Sequence, residues 1–344
     1  MSQYKISVII PTYNTGDFLY ESFNSILTQT IGFSNIEVII VDDASTDTKT
    51  LNHIKDLESK YENCKAIFLE DNSGFPGRGR NIGLAEAKGE YVIVADHDDS
   101  YNSDAFERLY SEITSNNADV AISNFNQVYD DKTVPFKSVF KDTLEIHVRN
   151  VDENLELLKI PAAIWTRLFR KEFLIKNNIR FLEGMLAEDV YVASLSSLKA
   201  NGIVYLNSFY GYNYRIRDSQ KDKSTIHIRN RKYIEAMLNG YFEIVKALKR
   251  ENLERYGEII FRQHLTSWIY TIVLSDLSGN DRLDLFKKAY PVFDKYYSED
   301  KCFNGKYNKI IECILAKDFD RAVSQSFKVN KLSNKVISKI KKMI

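Results

Sequence analysis

GEYVIVADHDDSY, residues 89–101, sets an apolar run, Tyr91 to Ala95, directly against Asp96, His97, Asp98 and Asp99 with no turn residue between. A short continuous run of Val, Ile and Tyr reads as a strand covered on both faces, because a half-exposed strand would alternate with polar residues. Four more such runs lie at 6–10 (ISVII), 36–41 (IEVIIV), 65–69 (KAIFL) and 118–123 (ADVAIS), with helical stretches near 16–29, 47–60, 78–88 and 103–116 between them. Strand and helix in alternation predict an α/β, doubly wound, mostly parallel sheet with helices on both faces.

In such sheets ligands sit beyond the carboxyl ends of the strands. The unusual residues of this chain collect there: Pro11-Thr12-Tyr13-Asn14 after the first run, Asp42-Asp43 after the second, EDNSGFPGRGRNIG (70–83) after the third and Asp96–Asp99 after the fourth. One composite site is predicted. Like charges a few ångströms apart cost stability unless a cation offsets them, so something positive is expected at the fourth end.

The third segment contains Gly77, Gly79 and Gly83, yet it is no dinucleotide fingerprint: its spacing is GxGxxxG and it follows the third strand, not the first. Arg78 and Arg80 suggest instead a loop that approaches a phosphate. The acidic cluster has two readings. Acids favour helix starts and Ser103 is a good N-cap, so Asp96, Asp98 and Asp99 could be a solvated helix entry. A divalent cation holding a diphosphate would explain the carboxylates and the arginines together, since Mg²⁺ or Mn²⁺ takes one or two carboxylates plus phosphate oxygens.

Four motifs carry a resemblance. SVIIPTYNTGDFLYESFNSILTQT, EVIIVDDASTD, GRNIGLAEAKGEYVIVADHDD and FLEGMLAEDVYV resemble, in order and spacing, the family 2 inverting glycosyltransferases of GT-A fold, over about residues 4–225. The likeness is greatest to enzymes that build bacterial surface polymers, capsule or wall teichoic acid. It implies a nucleotide-sugar donor, UDP-linked, a divalent metal, and a surface glycan or teichoic-acid-like acceptor. It also implies roles: Pro11, Thr12 and Tyr13 lining the nucleotide pocket, Asp43 on the uracil, Arg78 and Arg80 facing the nucleotide, and Asp96 and Asp98 as a DxD motif with Asp98 on the metal. Asp189 would be the catalytic base with Glu188 beside it. In YNYRIRDSQKDKS (212–224) Arg215 and Arg217 would meet the diphosphate and Asp218 the metal. His97 stands where a small residue is usual; it either contacts metal or sugar or points to solvent.

Physical logic agrees with these assignments. Attack of a hydroxyl on an anomeric carbon needs a base near the incoming oxygen and charge stabilisation on the leaving diphosphate. From the residues alone, Glu188-Asp189 is equally a helix-start acid pair favoured by the macrodipole. Trp165 could stack on a sugar or belong to the core, and Arg167 and Arg170 read as surface charges or acceptor contacts.

Beyond residue 125 the alternation stops. Residues 126–150 read as irregular or edge-strand connection, 151–201 as mostly helical, 203–217 as a Tyr-rich strand pair, and 229–344 as an all-helical module. The catalytic domain is therefore expected at 1–228, with a nucleotide-sugar half to about 125 and an acceptor and base half from about 126. In the tail, Val329, Leu332, Val336, Ile340 and Met343 share a helical face amid Lys328, Lys331, Lys335, Lys339, Lys341 and Lys342. Such a helix either lies on an anionic membrane or docks on its own module, and self-association through 229–344 is a further reading.

Composition fits an ordinary globular protein and offers no field for nucleic acid: 47 basic residues balance 47 acidic ones among 344. Three scattered cysteines, Cys64, Cys302 and Cys313, suit a reducing cytoplasm, and no signal peptide or spanning run is read. The rival functions are a sugar-phosphate nucleotidyltransferase and a non-catalytic nucleotide-sugar or glycan-binding module. The first would show a GxGxR-type first loop, where PTYNTGDF stands. The second would show loss of the base or the DxD acids.

Overall fold

The computed structural model describes residues 3–141, 143–217, 229–297, 305 and 307–340, with backbone alone over 332–340. The chain divides into two compact units, residues 1–184 with 188–222, and residues 185–187 with 223–344.

In the first unit the five runs read from the sequence are strands β1 (Tyr4–Thr12), β2 (Ile36–Asp42), β3 (Cys64–Phe68), β4 (Gly89–Val94) and β6 (Val120–Val128), with the two-residue β5 (Ser100–Tyr101) between the last two. Short edge pieces β7 (Thr133–Pro135) and β8 (Ile146–Val148) follow, then β9 (Arg167–Arg170) and β10 (Ile203–Arg215). The sheet order is β3-β2-β1-β4-β9-β6-β10-β5. β3, β2, β1 and β4 are parallel, as are β6 and β10, whereas β9 runs antiparallel to both of its neighbours. Because the chain winds outward from β1 to β3 and then returns to β1's other side with β4, the strand ends of β1 and β4 flank the crevice where ligands are expected.

Alternate residues of each strand feed opposite faces. Ile6, Val8 and Ile10, with Val38, Ile40 and Ile93, pack against Leu19 and Phe23 of α1 (Phe18–Leu27), Ile54 of α2 (Thr48–Lys60), and Phe106 and Leu109 of α4 (Ala105–Ser115). The other face receives α3 (Gly77–Glu86), where a Cβ on Gly83 would lie 2.3 Å from Ile9 Cγ2 and one on Gly77 1.9 Å from the Leu182 carbonyl oxygen. Close packing, not phosphate approach, requires those two glycines.

Two readings of the second half need correction. Residues 151–201 are not mostly α-helical: besides 3₁₀ turns and β9 they hold only the short α5 (Lys171–Lys176) and α6 (Glu188–Lys199). Leu168 and Phe169 bury both faces of β9, so no alternation announces it. Of residues 203–217, Ile203–Arg215 form one long strand in place of a pair, and its register against β6 shifts between Leu206 and Tyr210 and again before Tyr212. Bulges of this kind bend a strand and re-aim the side chains beyond the bend.

The second unit is helical: α7 (Arg231–Arg250), α8 (Gly257–Val273), α9 (Gly279–Tyr296), α10 (Asn308–Leu315) and α11 (Phe319–Ile340). Trp268 is fully buried and donates to the Ile234 carbonyl at 3.1 Å. Most of the basic tail's side chains lie outside the described residues. No helix among the described residues is long and apolar enough to cross a membrane.

Candidate active site

At the ends of β1 and β2, carboxylates are held by neutral donors. Buried Asp42 accepts from the Ser45 amide at 2.9 Å and from its hydroxyl at 2.5 Å. Asp43 accepts from the Ser73 amide at 3.0 and 3.1 Å and from its hydroxyl at 2.9 and 3.0 Å, which pins the loop after β3. Asn14 Oδ1 accepts from the amides of Thr46 and Asp47 at 2.9 and 3.0 Å. Asn14 and Ala44 sit at φ 50° and 57°, the left-handed region that costs a non-glycine residue roughly 1 kcal/mol or more and concentrates at functional sites. Pro11 and Thr12 are buried beneath this loop work, and Tyr13 stands 45% exposed beside them.

At the end of β4 the partners are cations. Arg80 is 5% exposed and forks: Nη1 donates to Glu188 Oε1 at 2.9 Å and Nη2 to Asp96 Oδ1 at 3.0 Å. Its guanidinium lies over the Phe181 ring at 5.4 Å. One side chain thus joins the strand-end acid to the acid pair 92 positions further on at the start of α6. Burial alone would lower the Arg80 pKa, but Asp96, Glu188 and Asp189 outweigh it and hold the charge in place. Burial and the neighbouring Asp189 push the Glu188 carboxyl up to about 7 against the pull of Arg80. Asp189 is raised as well, by burial and by Asp96, while Arg80 opposes. Its Oδ1 accepts from the Val190 amide at 2.7 Å. Ala187, at φ 64°, turns the chain into α6 just before the pair.

The two arginines of GRGR separate. They lie in the first turns of α3, not in a loop, so two positions apart they point to different sides of the helix. Arg78 pairs with Asp71 at 2.9 Å on the surface, away from the acid cluster.

β10 closes the third side. Tyr212 OH donates to Asp99 Oδ2 at 2.8 Å, and the Arg215 amide to Asp99 Oδ1 at 2.7 Å. Burial, then Asp98 and Asp96, raise the Asp99 carboxyl well above the usual range. Arg215 Nε donates to the Asp98 carbonyl at 3.1 Å and its guanidinium pairs with Glu21. Arg217 Nη2 meets Asp98 Oδ2 at 2.7 Å. Both guanidinium groups lie over the Phe18 ring, at 5.2 and 5.7 Å. Asp218 lies outside the described residues. His97 does not point freely to solvent: its Nδ1 is 3.3 Å from the Pro11 carbonyl, tying the ends of β4 and β1 together.

Arg167 is neither a surface charge nor an acceptor contact. It is 2% exposed, bonded to Ser197 Oγ at 3.3 Å and the Pro161 carbonyl at 3.2 Å, and burial lowers its pKa to about 10. Arg170 pairs with Asp119 at 3.3 Å. Trp165, half-buried, stacks on Tyr212 at 4.1 Å and on Tyr214 at 5.5 Å. Sequence reasoning read Asp99 only as one acid of the cluster and assigned no role to Tyr212, Phe18 or Glu21, which act through packing that only the fold creates. Among the described residues, Glu112, Glu145 and His147 also bring ligand-type atoms within 4.8 Å of one another, but Arg108 already bridges the two carboxylates.

The geometry supplies a loop system at the ends of β1 and β2, a strand-end acid cluster with basic partners, and an acid pair at the start of α6 whose first member is buried. Residues 7–175 match the model of glycosyl transferase family 2. The chain is 31% identical over 256 residues to a poly(ribitol-phosphate) beta-glucosyltransferase of Bacillus spizizenii, covering 74% of this chain and 38% of that protein. It is 28% identical over 330 residues to the poly(ribitol-phosphate) beta-N-acetylglucosaminyltransferase TarP of Staphylococcus aureus, covering 94% and 93%. Crystal structures of S. aureus TarS 1–349 with UDP and with UDP-GlcNAc superpose with TM-scores of 0.68 and 0.65 at 26% identity, covering 94% of this chain and 90% of that one. The chain spans about two fifths of the length of the first curated relatives it matches, 38% and 41%. Fold and motif order agree with these likenesses, and residues 7–175 form a glycosyl transferase family 2 domain.

Proposed function

We propose that the protein moves a hexosyl or N-acetylhexosaminyl group from a UDP-sugar to a hydroxyl of a polyol-phosphate surface polymer, with inversion at the anomeric carbon. The observation that carries this reading is the Arg80 fork, which couples the donor-side Asp96 to the Glu188-Asp189 pair across the cleft end of the sheet. Tyr13, Pro11 and Thr12 would line the base, with Asp43 accepting from the uracil N3–H through lone pairs left over from Ser73. Asp96 would face the ribose, and Arg80, Arg215 and Arg217 the diphosphate and sugar. Arg78, turned toward Asp71, has the least claim to a nucleotide contact.

Asp189 is the base in this reading. One of its oxygens is engaged by the Val190 amide, and its raised pKa improves it as a proton acceptor for an incoming hydroxyl. Glu188, held by Arg80, fixes the start of α6 and hence the position of its neighbour. A single displacement from the face opposite the leaving diphosphate inverts the sugar. The hard oxygen donors of Asp98 and Asp96 suit Mg²⁺ or Mn²⁺, and the crowding of three acids there fits a site built around a cation. When bound, such an ion would neutralise charge on the departing diphosphate.

UDP-sugars and a polymer growing on a lipid carrier meet at the cytoplasmic face of the membrane, where this reading puts the enzyme. A thermal-shift panel of nucleotide sugars with and without Mn²⁺ tests it, since a ligand at about 100 times its Kd stabilises the folded state by about 2.7 kcal/mol. UDP-sugars should raise the midpoint with Mn²⁺ and GDP- or CMP-sugars should not. Product NMR should then show the opposite anomer. Stabilisation by no UDP-sugar, or retention of configuration, overturns the reading.

A further inference from the structure

Two arginines leave β10 side by side over one phenylalanine ring, and the structure binds them unequally. Arg215 is fixed at every point: its amide to Asp99, its Nε to the Asp98 carbonyl, its guanidinium to Glu21. Among the described residues Arg217 has one carboxylate contact, Asp98 Oδ2 at 2.7 Å, and its Nε is buried without an acceptor. A buried donor left unmet costs on the order of 1–3 kcal/mol, so this is a pairing with something still to gain elsewhere. The side chains are 21% and 14% exposed, so the pair sits at the rim of the cluster and can part without unfolding the strand.

We propose that Arg217 is the resident counter-cation of Asp98, exchanged for a divalent metal only when that metal arrives with a diphosphate. The inference rests on the reading of the site as a metal and UDP-sugar site. Its physics is an exchange of partners. The crowded acids need positive charge in the resting protein, and Arg217 supplies it. A metal ion alone must evict the guanidinium from Asp98 and leave it beside a new positive charge with no anion to receive it. A metal accompanied by UDP brings two phosphates, whose oxygens satisfy the displaced guanidinium, its unmet Nε–H included. Metal and nucleotide therefore bind with positive coupling, and Arg217 is the residue through which part of that coupling runs; coupling factors of roughly 5–150-fold are usual for linked sites. Arg217 is a positioning residue here, with no part in moving a proton.

The test is the affinity for Mn²⁺, read from free Mn²⁺ by electron paramagnetic resonance, with and without saturating UDP and with no sugar transferred. In the wild-type protein UDP should tighten Mn²⁺ strongly. Arg217→Gln should tighten Mn²⁺ alone by about tenfold and shrink the gain from UDP by at least as much, because the competitor is gone and the receiving cation with it. Arg217→Lys, which keeps the charge and the fold, should bind Mn²⁺ alone as the wild type does. An Arg217→Gln protein that binds Mn²⁺ alone no better than wild type overturns the exchange. Wild-type protein that binds no Mn²⁺ even with UDP fails at the earlier step, the metal reading itself, and the exchange falls with it.

Discussion

The two sides of the site hold their carboxylates by different means. On the β1 and β2 side, Asp42 and Asp43 are fastened by amide N–H groups and serine hydroxyls, donors whose state does not change with pH. On the β4 side, Asp96, Asp98 and Glu188 are fastened by arginines that belong to other elements. Neutral donors fix geometry and ask nothing of the ligand. Cationic donors fix geometry and charge together, so any ligand that changes the charge must rearrange them. The first side is a mould and the second a set of charge pairs, and the chemistry proposed above belongs with the second.

The largest effect expected falls on the cationic side. Asp189→Asn keeps shape and one hydrogen-bond acceptor but cannot take a proton. Sugar transfer should fall by roughly 10²–10⁴-fold with UDP affinity nearly unchanged. Transfer within a few-fold of wild type would return Glu188 and Asp189 to the status of an ordinary helix start.

Next is Arg80→Met, which removes the cation from between the buried Glu188 and the half-buried Asp96. Breaking a buried pair by deleting one partner costs about 3–5 kcal/mol, because an uncompensated charge remains. Adding Glu188→Gln should restore part of that loss, since it removes one of the stranded charges. Arg78→Met, two positions away on the exposed Asp71 pair, should leave the unfolding midpoint in urea where it was. Equal costs at the two arginines would erase the distinction drawn between the sides.

How legible this was follows the same divide. The placement of the strand-end acids was readable because each lies within a few residues of the run that positions it: Asp43 after β2, Asp96 after β4. The parallel half of the sheet was readable because both-face burial leaves unbroken apolar runs. β9 was not, since four residues beginning and ending in arginine carry no periodicity and owe their place between β4 and β6 to tertiary packing. The Arg80 fork was not, because its partners lie 16 and 108 positions away and helix phase, not residue type, separates Arg80 from Arg78. Arg167 was misread for a related reason: an arginine in sequence reads as surface until its burial is seen.

The pH dependence sharpens the comparison further. The Glu188 carboxyl is raised from 4.5 to about 7, so the folded state binds a proton more tightly than the unfolded chain does. Its stabilising contribution is complete below pH 4.5 and is lost as pH rises through about 7. Wild-type stability should therefore decline between those values, by about 1–3 kcal/mol from this group, with Asp189 adding in the same direction. Glu188→Gln should flatten the decline. A wild-type profile that rises across this window would mean that Arg80 holds the pair below its ordinary values.

The smallest effect is expected on the neutral side, and it tests whether that side is truly a mould. Asp43→Asn leaves one oxygen to accept from Ser73 but places an NH₂ where a second oxygen had faced the Ser73 amide and the Gly74 amide at 3.3 Å. Hydrogen bonds to a charged acceptor contribute about 1.5–3 kcal/mol and neutral ones about 1, so a loss near 1 kcal/mol of stability follows. UDP affinity should drop by no more than about tenfold, because the loop shifts while the cationic contacts to the diphosphate stay. Since no cation is released or taken up, the penalty should be the same in the presence and absence of Mn²⁺ and should not vary between pH 6 and 8, in contrast to Glu188→Gln. A penalty that changes with metal would show that Asp43 also senses charge, and that the two sides of the cleft act as one electrostatic unit.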